Sequence, residues 1–440
     1  MDPDGPLLLT LEADMDEVAL LAIVALIFLW GTVGARFERA DLTAPIVFTA
    51  LGAGMVWLGV IDVNGTPEPL RPLTELALVW VLFSDAARVR IHDLRADVSR
   101  YARLLGVGLP LTILAGWGLA KWLFPDLDGW LALLVAAALA PTDAALGVPV
   151  VTNPVVPSRV RRLLTVESGL NDGIVTPVVM VAIAGAATVE STNFGGGIGH
   201  AFAQLAVGVL IGSAIGVAGG YLLRLTRRKG WVAEDFAGVA VLALALVAYL
   251  LALVVDGNGF VAAFCGGLAF GAAAGRRGPS ELVFLEQASG MVSLLVWLAF
   301  GAVAIPMLLD EWSPVILLYA VLSLTVVRML PVAIAAIGSG LDRDTVLFIG
   351  WFGPRGLASL VFALLAFEEL GEKDAALAVT IIAATVFLSV IAHGASAAPL
   401  ASLYGKAAAA RGPEPGGVVA DIPVRGLPRR TPPAGSAPRQ

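Results

Sequence analysis

Long apolar stretches alternate with short polar connections over most of this chain. Thirteen of the stretches approach the roughly 20 residues that an α-helix needs to cross a bilayer. Apolar residues run continuously within each stretch and do not alternate with period two, which excludes the strands of a membrane barrel. The pattern predicts an all-α polytopic membrane protein. The predicted spans are residues 18–34, 43–61, 73–87, 104–124, 130–151, 163–187, 198–223, 236–255, 260–275, 291–309, 314–337, 346–367 and 375–400.

The composition supports the same class. Of the 440 residues, 58% are hydrophobic and 14% are charged, and the mean hydropathy is +0.87. A soluble protein of this size usually carries about 25% charged residues. Cys265 is the single cysteine, and the three histidines are far apart in sequence. We therefore expect no disulfide framework, no resident metal, no cofactor and no nucleic-acid partner.

The polar connections alternate in charge along the chain. The connection after span seven holds Arg227 and Arg228, whereas the connection after span four holds Asp126 and Asp128. Basic connections of membrane proteins face the cytoplasm. We therefore expect a multi-pass protein of the cytoplasmic membrane with its N-terminus outside and its C-terminus in the cytoplasm, as an odd number of spans requires.

The two ends of the chain differ from the apolar region between them. Residues 1–17 are acidic and lack the basic segment of a signal peptide, so we predict a short polar leader. Residues 405–440 are rich in alanine, glycine and proline and predict a disordered cytoplasmic tail. The membrane domain is then expected over residues 18–404.

Two predicted spans contain helix-breaking residues at membrane depth. Span five contains Ala140-Pro141-Thr142-Asp143, and span twelve contains Gly353-Pro354-Arg355-Gly356. Unpaired backbone is tolerated in a membrane only where it faces protein or a water-filled cavity. Because the breaks are seven spans apart, spans one to six and eight to thirteen are predicted to be inverted repeats, as in many transporters. Asp143 and Arg355 are placed to neutralise the dipole ends that a broken helix exposes.

Span six carries four polar side chains where a membrane helix is normally apolar: Glu167, Ser168, Asn171 and Asp172. Intramembrane ionisable groups usually mark an ion pathway or a proton relay. Ser168 and Asp172 are four residues apart and share a helix face, so they offer oxygen ligands to a small monovalent cation. Burial favours a protonated carboxyl and a bound cation favours the carboxylate, so Asp172 could hold either one but not both. We expect Asn171 to support this site by hydrogen bonding.

Glu167 is rotated by about 100° from Ser168 on an ideal helix and therefore points elsewhere. A buried carboxylate and a buried guanidinium each need a partner. Arg328 lies inside span eleven and has the same need as Glu167. We predict that the two residues form a structural ion pair.

The run from Glu167 to Gly173 resembles the Asn-Asp signature of the NhaP/NHE branch of cation/proton antiporters. Four further stretches resemble this family in type and order, and the resemblance extends over about residues 18–400. They are Pro141-Thr142-Asp143, Gly353-Pro354-Arg355-Gly356, Phe83-Ser84-Asp85-Ala86-Ala87-Arg88, and Ile391-Ala392-His393-Gly394 with Pro399-Leu400. Ala144 and Gly169 depart from the residues that are common in relatives.

The resemblance implies a homodimer of thirteen-helix protomers in the lipid bilayer. Each protomer would have an interface domain and a mobile six-helix core that moves like an elevator. The Asn-Asp pair implies near one-to-one exchange of Na⁺ or Li⁺ for H⁺, with Asp172 as the carrier of cation or proton. Ser168 and Thr142 would be further cation ligands, and Glu167 would be linked to Arg328 and to the ion through water.

Other functions fit parts of the pattern. A K⁺/H⁺ antiporter of the same fold would use the same residues, and a cation channel would use the same ligands without needing a titrating carboxylate. An intramembrane aspartyl protease needs a second aspartate in a Gly-x-Gly-Asp setting, which Asp256 in its loop does not provide. We expect a transporter and not an enzyme.

Overall fold

The computed structural model describes residues 5–38, 42–61, 71–89, 97–143, 146–190, 196–275, 278–310 and 312–411. These residues form helices and turns, with no β-strand among them. In chain order the helices are α1 Gly5–Glu38, α2 Ala44–Trp57, α3 Arg71–Arg88, α4 Val98–Leu123, α5 Gly129–Ala138, α6 Val148–Val151, α7 Ser158–Glu190, α8 Gly196–Arg228, α9 Glu234–Val254, α10 Gly259–Ala273, α11 Gly278–Asp310, α12 Pro314–Ala335, α13 Arg343–Trp351, α14 Leu357–Leu370 and α15 Glu372–Ala410.

Eight of the described helices are long and apolar enough to cross a membrane, and three shorter apolar helices accompany them. Every predicted span overlaps one helix or, for spans five and twelve, a pair of short helices. The short pairs are α5 with α6 and α13 with α14. The prediction of an all-α polytopic protein with two interrupted spans is therefore confirmed, and thirteen as the number of crossings stays a prediction.

Side-chain caps fix where several of these helices begin. Asp128 accepts a hydrogen bond from the Trp130 N–H at the start of α5, and Asn258 accepts one from Val261 at the start of α10. Asp342 does the same for the Thr345 N–H in α13. These short polar side chains satisfy N–H groups that have no partner inside the helix.

The helices pack in two groups. In the first group, α2 and α3 pack against α11, and α10 packs against α3 and α8. In the second group, α5 packs between α4 and α7, and α15 packs against α12 and α14. Glycines allow some of these helices to approach closely, since a Cβ at Gly52 of α2 would lie 1.9 Å from the Leu298 carbonyl oxygen of α11. Helices α7 and α14 also contact α3 of the first group.

Two spans that the sequence predicts as regular are distorted. Helix α4 contains a π-helical turn over Leu104–Gly108, directly before Pro110. Pro110 has no N–H for the carbonyl of Gly106, so the regular ladder is interrupted there. Helix α12 is distorted at Thr325, whose hydroxyl donates to the Val321 carbonyl. A threonine that bonds back to its own helix in this way often bends it.

The ends of the membrane region differ in detail from the prediction. Helix α1 begins at Gly5, inside the predicted leader, and α15 continues to Ala410, past the predicted start of the tail at residue 405. Residues 412–440 and Ala144 lie outside the described residues. The three segment boundaries stay predictions.

Candidate functional site

The two interrupted spans meet at their breaks. Helix α5 ends at Ala138 and α6 begins at Val148, while α13 ends at Trp351 and α14 begins at Leu357. The Asp143 N–H donates to the Pro354 carbonyl oxygen at 2.7 Å, which joins the two breaks through their main chains. Two motifs more than 200 residues apart in sequence therefore form one structural unit.

Each break carries a charge that caps a half-helix of the other span. Arg355 is fully buried, and its Nη1 donates to the carbonyl oxygens of Ala140 (3.1 Å) and Pro141 (3.2 Å), just beyond the end of α5. Asp143 Oδ2 accepts from the Leu357 N–H at 3.0 Å, at the start of α14. A guanidinium thus faces a carbonyl end and a carboxylate faces an N–H end, as the helix dipole favours.

Glycine is required where the Asp143 carboxylate meets span twelve. A Cβ on Gly356 would lie 1.8 Å from Asp143 Oδ2, a distance that no side chain can adopt. Gly353 is similarly tight, because its Cβ would lie 2.6 Å from Arg328 Nε. Both glycines of the motif therefore make room for the charged side chains around the break.

Three polar side chains of the predicted site form one hydrogen-bonded set. The Asn171 amide Nδ2 donates to Thr142 Oγ1 at 2.8 Å, and the Thr142 and Ser168 hydroxyl oxygens are 2.8 Å apart. All three side chains are buried. Helix α7 therefore contacts the break of span five through its polar face, and Thr142 is the residue that both α7 side chains contact.

Asp172 lines a cavity of about 440 Å³ that also reaches Thr142 and Asp143. Glu38 and Asp85 contribute two more carboxyl groups to its wall, and none of the described lysines or arginines lines it. A cavity lined by several carboxyl groups attracts positive ions. Asp172 is 9% exposed, so its carboxyl is nearly buried and still borders this space.

The Glu167 side chain points away from the cavity, as its position on the helix predicts. It contacts Arg328 of α12, with 2.6 Å between Glu167 Oε1 and Arg328 Nη1. The side chains are 4% and 2% exposed, so both charges are buried. The structure thus brings the two predicted partners into contact beside the break, and Glu167 does not line the cavity with Asp172.

Asp85 of α3 lies at the cavity, although it is not among the site residues predicted from the sequence. Arg88 pairs with Glu286 of α11, and Asp85 lines the cavity. Asp85 also lies against α7, since a Cβ on Gly169 would be 3.6 Å from its carbonyl oxygen. Its position in the Phe83–Arg88 motif, which matched the resembled family, is the signal that could have identified it.

Crossed broken helices beneath an acidic cavity, in a bundle of apolar helices, define a multi-pass membrane transporter. The chain belongs to the transmembrane sodium/hydrogen exchanger family, whose model matches residues 21–403.

Relatives and solved structures agree with this assignment. The chain is 27% identical over 397 residues to the K⁺/H⁺ antiporter NhaP of Alkalimonas amylolytica, covering 88% of this chain and 67% of that protein. It is 28% identical over 337 residues to the K⁺/H⁺ antiporter NhaP2 of Shewanella sp. strain MR-4, covering 75% of this chain and 57% of that protein. The sodium proton antiporter MjNhaP1 from Methanocaldococcus jannaschii superposes with a TM-score of 0.69 at 22% identity, covering 88% of this chain and 98% of that chain. That superposition supports the fold.

Proposed function

We propose that this protein is a secondary active antiporter that exchanges Na⁺ or Li⁺ for H⁺ across the cytoplasmic membrane. The observation that carries the proposal is the position of Asp172, a nearly buried carboxyl on a membrane helix that borders an acidic cavity beside two crossed breaks. The transported ions are its substrates, and it needs no resident cofactor and catalyses no covalent reaction. The relatives spanning this chain support the class, because they are named as cation/proton antiporters.

Cation and proton compete for one carboxyl group in this mechanism. The Asp172 carboxylate binds the cation together with the Ser168 hydroxyl and with the hydroxyl or carbonyl oxygen of Thr142. Protonation of Asp172 removes the charge that holds the cation, so each ion displaces the other. Asn171 fixes the Thr142 hydroxyl through its 2.8 Å hydrogen bond. One exchanged charge in each direction makes the transport electroneutral.

The cavity gives the site access to one side of the membrane. It reaches Glu38 at the end of α1, Thr43 before α2 and Thr152 after α6. These are the helix ends that carry basic connections, so with the N-terminus outside the cavity opens to the cytoplasm. We assign this arrangement to the inward-facing state of the transporter.

Alternating access follows from movement of one helix group against the other. The group that holds α4–α7 and α12–α15 carries the site and moves along the group that holds α1–α3 and α8–α11. The main-chain contact from Asp143 to Pro354 and the caps from Arg355 keep the site rigid during that movement. A second copy of the chain supports the fixed group in a homodimer, as the family resemblance implies.

K⁺ is the principal alternative substrate. The two relatives compared above are both named K⁺/H⁺ antiporters and are 27% and 28% identical to this chain over the matched residues. The oxygen ligands at Thr142, Ser168 and Asp172 are compatible with either monovalent cation. A cation channel is a remoter alternative.

Transport in proteoliposomes tests the proposed function. We expect an outward gradient of Na⁺, Li⁺ or K⁺ to acidify the vesicle interior, measured by an internal pH dye, without generating a membrane potential. Comparing initial rates for the three cations at several pH values gives the preferred ion. Cation efflux without proton entry would instead identify a channel and contradict the proposal.

A further inference from the structure

His393 of α15 has two hydrogen-bond partners in a fully buried position. Its Nε2 lies 2.9 Å from the carbonyl oxygen of Trp351. Its Nδ1 lies 3.1 Å from the Ser389 hydroxyl and 3.0 Å from the Ser389 main-chain carbonyl oxygen. Trp351 is the last residue of α13, and its carbonyl oxygen also accepts from the Gly353 N–H at 2.7 Å. We assign the proton to Nε2, because His393 then donates to the Trp351 carbonyl and accepts from the Ser389 hydroxyl at Nδ1. With the proton on Nδ1, the contact between Nε2 and the Trp351 carbonyl would join two acceptors.

Ser389 extends this connection to the other side of the break. Its hydroxyl oxygen accepts from the Arg355 main-chain N–H at 2.7 Å, and its side chain is fully buried. A continuous chain of hydrogen bonds therefore runs from the Arg355 N–H through Ser389 and His393 to the Trp351 carbonyl. It joins the residues on either side of 352–354, where the backbone leaves the helical conformation.

The residues held in this way also fix the main chain at Thr142. Arg355 donates to the Pro141 carbonyl, and Pro354 accepts from the Asp143 N–H. Thr142 lies between Pro141 and Asp143, so both of its neighbours are bonded to span twelve. A shift of the Arg355 backbone would be transmitted to both sides of Thr142.

We propose that Ser389 and His393 are positioning residues that hold the Thr142 cation ligand in place through the break of span twelve. Among the described residues that line the cavity with Asp172, neither of the two is found. They set the geometry of the break, and the break sets the position of Thr142. This inference rests on the proposed role of Thr142 in cation binding.

Substitutions on α15 separate a positioning role from ordinary packing. Ser389→Ala removes the acceptor of the Arg355 N–H, and His393→Leu fills similar space without hydrogen bonds. Ser389→Thr and His393→Gln retain an oxygen and a donor at these positions. Thr385→Val is the matched control, because Thr385 is also buried on α15 and its hydroxyl bonds only to Ile381 of the same helix.

The measurement is the Na⁺ or K⁺ concentration that gives half-maximal thermal stabilisation of the purified full-length protein, together with the transport KM and maximal rate. We expect Ser389→Ala and His393→Leu to raise the half-maximal concentration and KM about tenfold, since a buried hydrogen bond is lost. The half-maximal concentration and KM of Ser389→Thr, His393→Gln and Thr385→Val are expected to stay within about threefold of the wild-type values. In the double variant Ser389→Ala/His393→Leu, the half-maximal concentration and KM should rise no further than in the more strongly affected single variant, because both substitutions interrupt the same chain of hydrogen bonds.

Unchanged cation affinity in Ser389→Ala and His393→Leu, with only a lower melting temperature in the absence of cation, would overturn the positioning role. An equal loss of cation affinity in Thr385→Val would also overturn the positioning role. The proposed function is judged separately, by the cation response and proton exchange of the wild-type protein. A wild-type protein without either response overturns both, whereas a normal wild type with unaffected variants overturns the positioning role alone.

Discussion

Asp172→Asn is expected to abolish cation/proton exchange in proteoliposomes while the protein still inserts and folds. Asparagine has nearly the same size, but it cannot bind a proton in exchange and carries no charge for the cation. Two unit charges about 4 Å apart interact by about 4 kcal/mol at an effective dielectric constant of about 20. Losing that interaction lowers cation affinity by roughly a thousandfold. Exchange should therefore fall to the level of protein-free vesicles.

Asp256→Asn is the matched control for this substitution. Asp256 lies in the turn between α9 and α10, and its side chain is 69% exposed. Its φ of 58° is in the left-handed region, which asparagine also adopts readily. We expect Asp256→Asn to retain exchange. Measurable Na⁺/H⁺ and K⁺/H⁺ exchange in Asp172→Asn would mean that another group carries the ions.

Single substitution of Glu167 or Arg328 is expected to destabilise the protein strongly. Each of these side chains is almost completely buried, and their charged groups are 2.6 Å apart. Glu167→Gln leaves the Arg328 guanidinium buried without its counter-charge, and Arg328→Met does the same to the Glu167 carboxylate. Removing one partner of a buried ion pair typically costs about 3–5 kcal/mol. The thermal midpoint of the purified protein should therefore fall by several degrees in either variant.

The double variant Glu167→Gln/Arg328→Met tests whether the loss comes from the pair. We expect it to be more stable than the sum of the single effects predicts, because no unpaired charge is left buried. Arg411→Ala provides an exposed comparison, since Arg411 contacts Asp342 and Asp344 at the protein surface and such pairs contribute about 0–1 kcal/mol. Normal stability of both single variants would contradict a structural role for the Glu167–Arg328 pair.

The sequence was most informative where a residue conflicts with its surroundings. Asp172 and Arg328 are conspicuous because charges are costly inside a membrane, and Pro141 and Pro354 are conspicuous because they interrupt helices. The same reasoning indicated which charges need partners, and Glu167 and Arg328 do form a pair. The predicted role of Asp143 and Arg355 at the helix ends also agrees with their contacts.

The contacts that the sequence could not predict join residues that are not unusual for their place in the sequence. Arg88 pairs with Glu286, which lies almost 200 residues away in sequence. Their pairing depends on how α3 packs against α11, which hydropathy does not specify. His393 is similar, because one histidine in an apolar helix gives no indication of its partners. Its contact with Trp351 exists only because span twelve breaks beside α15.

The distortion of α12 is a further example. The sequence shows Thr325 and Pro331 in an otherwise apolar span, and both residues are also tolerated in regular membrane helices. In the structure, Thr325 bonds back to the Val321 carbonyl, and α12 packs against α15 and α4, and neither contact can be read from the sequence. This distortion lies three residues before Arg328, the partner of Glu167.

Competition between cation and proton at Asp172 is the central claim, and proton release on cation binding tests it most directly. Na⁺ or K⁺ is added to purified protein in weakly buffered detergent solution at several pH values, and the released protons are measured with a pH dye. We predict saturable release that approaches one proton per protein, a cation affinity that weakens as the pH falls, and no release from Asp172→Asn. Cation binding without proton release, or the same release from Asp172→Asn, would contradict the claim.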